Sequence, residues 1–220
     1  MIEVSYEKEN YVFLCPTCET IFNLQDRMQG ITDSCMTEFG LQQVECAKDA
    51  LKEIKFTKAF CSPSERTKKT AEMILENKDL EAVPLEELKE FHYGILDGAI
   101  KDPNDLDMVR RLRYDEFADI GGDSRACMDL KIRRLFDELN ESLDDQDVVL
   151  IVGHGSYFRH IQRALFAHVI PGTLDDDTEV IPGGGIAVLQ FNNGGIDLIH
   201  DGMEPDLFKE WFEVSKDHLF

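Results

Sequence analysis

Short apolar runs and longer amphipathic stretches take turns along this chain. Tyr11 to Leu14 predicts a buried strand, and Lys58 to Cys61, Glu81 to Leu85 and Val148 to Val152 repeat the pattern, the last most clearly. Thr37 to Ile54 places Phe39, Leu41, Val44, Ala47 and Leu51 at helical spacing. Ser62-Pro63-Ser64-Glu65 predicts a helix start, with Ser62 as cap, Pro63 at the first helical position and Glu65 closing a capping box; that helix runs to about Glu76. Phe91 to Asp105 is rich in Gly, Pro, Asp and Asn and predicts irregular chain. Helical spacing returns over Leu106 to Phe117, Asp123 to Leu143, Ser156 to His168 and from Pro205 onward. Gly185 to Phe191 and Ile196 to His200 predict a hairpin across Asn192-Asn193-Gly194-Gly195.

With no tandem repeat or Gly/Ser linker to divide it, this alternation predicts a single α/β domain over residues 1–220. The expected architecture is a three-layer sandwich, a mostly parallel sheet flanked by helices, with a small helical insertion near Asp102 to Gly122. Ligands of such sheets bind beyond the carboxyl ends of the strands. Three segments end up there: Cys15 to Thr20, Cys61 to Arg66 and His154 to Arg159.

Composition narrows the function. Hydrophobic residues make up 43% of the chain, enough for a real core, and the formal net charge is −21. So acidic a chain repels phosphate backbones and anionic membranes, so neither nucleic acid nor membrane is expected as a partner. No apolar run approaches the roughly 20 residues that span a bilayer. Met1-Ile2-Glu3-Val4-Ser5 lacks the pattern of a secretory signal, and six cysteines are too few for a disulfide scaffold, so reduced thiols and a cytoplasmic location are expected.

The chemistry-bearing residues are individually modest. His154 follows the strand Val149 to Val152 at a helix start, where free N–H groups and the positive dipole end suit phosphate. Arg66 lies one turn into its helix, and Glu90 sits in Leu88-Lys89-Glu90-Phe91-His92-Tyr93-Gly94. In order, however, the segments resemble the signatures of the histidine phosphatase (phosphoglycerate mutase-like) superfamily. Glu19-Thr20-Ile21-Phe22-Asn23, Arg27-Met28-Gln29-Gly30 and Asp33 to Gly40 resemble the first region, and Cys61 to Ala71 the second. Leu88 through Asp97-Gly98 resembles the third, Gly121-Gly122-Asp123-Ser124 the Gly-Glu-Ser turn, and His154-Gly155 with Arg159 the last. The short stretch from Gly94 to His154 looks more like the compact phosphatase branch than a glycolytic mutase.

The resemblance implies phosphoryl transfer through an active-site histidine, with no cofactor. Carried over, Arg66 is a phosphate clamp, Glu90 the proton donor and His154 the second, phosphate-binding histidine, while Asn23 and Arg27 line the entrance. The departure lies before Glu19-Thr20, where the family has Arg-His-Gly and this chain has Pro16-Thr17-Cys18. Thr17 takes the nucleophile position and Pro16 that of the first arginine. A threonine hydroxyl is a weak nucleophile without a base, and proline supplies no fork for phosphoryl oxygens. The expected function is therefore binding of phosphate or a small phosphorylated ligand with impaired hydrolysis.

Two alternatives compete. Cys18 or Cys15 could replace the histidine as nucleophile. Yet cysteine phosphatases space Cys and Arg by five residues, and Cys61 to Arg66 leaves only four. Cys15-Pro16-Thr17-Cys18 could also be a redox pair, or bind zinc with Cys61 and His154.

Overall fold

The structure, a computed structural model, describes residues 9–166, 181–192 and 195–219, with only the backbone for 217–219. Six strands form one sheet: β1 (Glu9–Pro16), β2 (Lys58–Cys61), β3 (Val83–Pro84), β4 (Val148–Gly153), β5 (Ile186–Asn192) and β6 (Gly195–Met203), in the order β3-β2-β4-β1-β5-β6. The β3-β2-β4-β1 block is parallel, and β5 and β6 extend it antiparallel. This is the expected mostly parallel α/β sheet. The antiparallel pairing of β5 with β6 reaches Asn192 and Gly195, so the predicted hairpin forms; its two tip residues lie outside the described chain.

Helices cover both faces, which explains the uninterrupted apolar strands. Tyr11, Phe13 and Cys15 of β1 and Val148, Leu150 and Val152 of β4 pack with α2 (Glu38–Ala50), α3 (Glu65–Ile74) and α7 (Pro205–Leu219). Val12, Leu14, Val149 and Ile151 point the other way, toward α4 (Leu106–Tyr114), α5 (Arg125–Ser142) and α6 (Gly155–Phe166). The insertion is α4 with a 3-10 turn at Ala118–Ile120, where helical chain was expected. The helix expected up to His168 is seen to Phe166, beyond which it leaves the described residues.

Three local expectations need correction. The cap of α3 is Ser64, not Ser62, and no side chain of its own segment caps it. Glu65 N–H instead donates to Asp33 Oδ2 at 2.8 Å, and Ser62 Oγ turns to His154. On α2, Phe39 and Leu41 are exposed, and the buried stripe is Gly40, Val44, Ala47 and Ala50. The strand expected over Glu81 to Leu85 shrinks to two residues at the sheet edge, ending in a proline. A four-residue helix, α1 (Ile21–Leu24), has no buried face and left no hydrophobic period to read.

Candidate active site

The carboxyl ends of β1, β2 and β4 open into a cleft of about 330 Å³. Its walls bring together Thr17, Asn23, Arg27, Arg66, Glu90 and His154, which lie far apart along the sequence. Pro16, Cys18, Glu19, Tyr93, Lys101 and Ser156 also line it, whereas Cys15 and Cys61 do not.

Residues 17–20, which follow β1, are held on the N-terminus of α2. Glu19 N–H donates to Gln43 Oε1 at 2.9 Å, Thr37 N–H to Glu19 O at 3.0 Å, and Thr37 Oγ1 to the Glu19 carboxylate at 2.7 Å. The approach requires glycine at 40, because a Cβ there would sit 2.1 Å from Glu19 O. Thr17 is half-buried; its N–H donates to Gly153 O at 2.9 Å, tying this segment to β4. Its hydroxyl makes one long contact, 3.5 Å to Arg66 O. A backbone carbonyl is no general base, so the hydroxyl has no activating partner there.

Arg66 is buried and heavily engaged. Nη1 donates to Asp33 Oδ1 at 2.6 Å and to Thr32 O at 3.2 Å, and Nη2 donates to Gly30 O at 2.8 Å. His154 is buried as well. Its Nε2 lies 2.8 Å from Ser62 Oγ, while Nδ1 has no hydrogen-bond partner among the described residues. Burial, then the charges of Arg66 and Lys131, hold its pKa well below 6.5, so the ring is neutral at pH 7.

Glu90 follows the 3-10 turn Glu86–Leu88 and is buried, with Oε1 accepting from Phe91 N–H at 2.9 Å. Burial pushes its carboxyl up to about 7, against the opposing pull of that N–H and of Arg66, Arg159 and Lys131. A carboxyl poised there can donate a proton near neutrality. At the rim, Arg27 Nη1 donates to Gly98 O at 2.7 Å, and Lys101 pairs with Asp26 at 3.5 Å. Asn23 spends its carbonyl oxygen capping α1, accepting from Thr20 N–H at 2.9 Å.

All six cysteines are free thiols. Burial pushes Cys15 well above its ordinary value and Cys18 up to about 12, so neither is a thiolate at neutral pH. Cys15, Cys18 and Cys61 pack in the core on the α2–α3 side of the sheet. Among the described residues no group of three or more His, Cys, Asp or Glu could hold a metal ion, so the four-ligand zinc arrangement is not formed. No described helix is long and apolar enough to cross a membrane.

Sequence reasoning missed Asp33, Ser62, Tyr93, Lys101 and Ser156. Asp33 lay inside a recognised segment, but nothing local marks it as the counter-ion of a residue 33 positions away. Tyr93 and Ser156, which line the same cleft, come from segments that only the fold brings together.

The cleft at the strand ends thus combines a buried arginine, a neutral histidine and a carboxyl pushed up to about 7 on an α/β scaffold. Residues 13–200 match the histidine phosphatase superfamily (branch 1), and the chain belongs to that superfamily. It is similar to the probable fructose-2,6-bisphosphatase TIGAR A of Danio rerio, 28% identical over 198 residues, covering 71% of this chain and 77% of that protein. Phosphoglycerate mutase from Bacillus anthracis shares the fold with a TM-score of 0.77 at 19% identity, covering 93% of this chain and 98% of its own. A mutant phosphoserine phosphatase from Entamoeba histolytica, with one histidine replaced by alanine and phosphoserine bound, gives 0.73 at 23% identity, covering 86% and 95%.

Proposed function

We propose that this chain binds phosphate or a phosphorylated small molecule in the cleft and hydrolyses phosphomonoesters poorly. In this reading Arg66 and His154 hold the phosphoryl group, Glu90 serves as proton donor, and Asn23 and Arg27 line the entrance. Thr17 stands at the nucleophile position and Pro16 at that of the first arginine. The observation that carries it is Thr17 in the wall of the same cleft as Arg66, Glu90 and His154, with its hydroxyl directed at a carbonyl rather than a base. Binding needs cationic and N–H donors, and these remain; turnover also needs a nucleophile that forms and releases a phosphoryl intermediate. The Entamoeba phosphatase mutant holds phosphoserine with one of its histidines replaced, which is in keeping with binding that does not need every site side chain.

The test compares the natural protein with a triple variant, Pro16→Arg, Thr17→His and Cys18→Gly, on a panel of phosphomonoesters. Loss of one transition-state donor typically costs a hundredfold or more, so the variant should exceed the natural protein by at least roughly that factor. Calorimetry should show phosphate or vanadate binding to both. A fast natural enzyme whose rate is unchanged in Thr17→Ala would overturn the reading and point to another nucleophile.

A further inference from the structure

The inner part of the cleft is electrically unusual for a phosphate site. The buried guanidinium of its lining, Arg66, pairs with Asp33 at 2.6 Å, and Asp33 does not itself line the cleft. The same carboxylate takes the first N–H of α3 through its other oxygen, at 2.8 Å. Asp33 thus offsets both positive features that α3 would present to an anion, its arginine and its dipole end. Pro16 contributes no charge, and His154 is neutral. Glu19 lines the cleft as a second carboxylate beside Thr37, and Glu90 faces it too. The cations packed behind Glu90 are Lys131, whose Nζ donates to Lys89 O at 3.2 Å, and Arg159, which lies 3.5 Å from Asp115. At the rim, Lys101 is paired with Asp26. Arg66 also has two of its acceptors in the backbone, Thr32 O and Gly30 O, so its fork staples the 30–33 loop as well as facing the cleft.

Resting on the phosphate-site reading, we propose that the cleft selects a singly charged phosphoryl group, a phosphodiester or a singly protonated monoester, and that Asp33 sets this preference by neutralising Arg66. A dianion brings one more negative charge against Asp33 and Glu19, and the other guanidinium of the lining, Arg27, is engaged at the rim with Gly98 O and Gln25 Oε1. A monoanion is matched by Arg66 through the donors that Asp33 and the loop carbonyls leave, and by neutral donors such as Ser156. Asp33 acts through Arg66 and is a specificity-determining residue rather than a catalytic one.

Tetrahedral oxyanions of nearly equal size separate charge from shape. Perrhenate carries one negative charge and tungstate two. Both are titrated calorimetrically at pH 8 into the natural protein, Asp33→Asn and Asp33→Glu, with thermal denaturation confirming that each variant is folded. The natural protein should bind perrhenate at least as tightly as tungstate. Asp33→Asn should move the ratio roughly tenfold toward tungstate, the effect of removing one partly screened charge a few ångströms behind the guanidinium. Asp33→Glu, which keeps the charge, should leave the ratio near that of the natural protein. Because the natural protein's own ratio is informative, a variant that fails to fold does not end the test. Tungstate preferred tenfold or more by the natural protein, or an unchanged ratio in folded Asp33→Asn, overturns the charge selection alone. Binding of neither anion to any of the three proteins overturns the phosphate-site reading and the charge selection with it.

Discussion

Ser62 Oγ lies 2.8 Å from His154 Nε2, and both side chains are buried. This contact joins the end of β2 to the end of β4 and fixes the imidazole against the floor of the cleft. It also explains why Ser62 does not cap α3: its hydroxyl is committed to the histidine, and its carbonyl accepts from Thr67 Oγ1 at 2.8 Å. Ser62→Ala would leave both ring nitrogens of a buried histidine without a hydrogen-bond partner among the described residues. Stranding a buried polar group costs about 1–3 kcal/mol, and chemical denaturation of Ser62→Ala should show a loss in that range. Anion affinity should fall with it, since the ring is no longer held. An unchanged unfolding free energy would mean that the contact contributes nothing net.

Asp115 carries the second polar knot. It sits just after α4 in the left-handed region, φ 51°, with Arg163 at 2.9 Å, Arg125 at 3.2 Å and Arg159 at 3.5 Å. Arg163 also meets His160, whose ring stacks on Phe91, the neighbour of Glu90. The knot therefore ties the insertion to α5, α6 and the segment bearing the proposed proton donor. Asp115→Ala removes the nearer counter-ion of the buried Arg163, leaving it Asp129 at 3.7 Å, and that of two partly buried arginines, and should cost about 3–5 kcal/mol in urea denaturation. Asp115→Asn, which tolerates the left-handed backbone and keeps an acceptor, should cost measurably less. Equal losses from the two substitutions would assign the effect to the side chain's charge alone.

The strands and helices that bury the most surface were the legible ones. β1 and β4 read as unbroken apolar runs because helices cover both of their faces, and the order of the motif segments correctly gathers Thr17, Arg66, Glu90 and His154 into one cleft. What failed was decided by partners remote in sequence. The α3 cap looked local, but Asp33, 32 residues upstream of Glu65, took its N–H. Phe39 and Leu41 had helical spacing but fall on the exposed side of the stripe set by Val44 and Ala47. The arginines around Asp115 carry no pattern by which a linear reading could have paired them.

The cysteines divide into two sets by burial. Cys35, Cys46 and Cys127 are exposed, whereas Cys15, Cys18 and Cys61 are buried, each with its thiol pKa raised chiefly by burial. A disulfide reagent that reacts with the thiolate should titrate three thiols quickly in the folded protein and all six in denaturant. Rapid labelling of Cys18, located by peptide mapping, would reopen its claim as a substitute nucleophile.

Glu90 should leave its mark on stability as a function of pH. Its carboxyl is pushed up to about 7 in the folded protein, chiefly by burial, from an ordinary 4.5. Below pH 4.5 the group is protonated in both folded and unfolded chains and makes no difference between them. As pH rises from there toward 7, the unfolded chain releases the proton while the folded chain retains it. The unfolded state then binds fewer protons, so the contribution to stability falls with pH and levels off once the folded carboxyl has also ionised. The offset corresponds to a loss of about 3 kcal/mol across that window. Glu90→Gln removes the titration while keeping nearly the same shape and an acceptor for Phe91 N–H. Urea denaturation of both proteins from pH 4.5 to 8.5 should therefore show similar stabilities at the acid end. The advantage of Glu90→Gln should then grow to a few kcal/mol by about pH 7.5 and stay constant above it. Parallel stability curves across the whole range would show that Glu90 titrates as an ordinary carboxylate, and its role as a proton donor near neutrality would lose its physical basis.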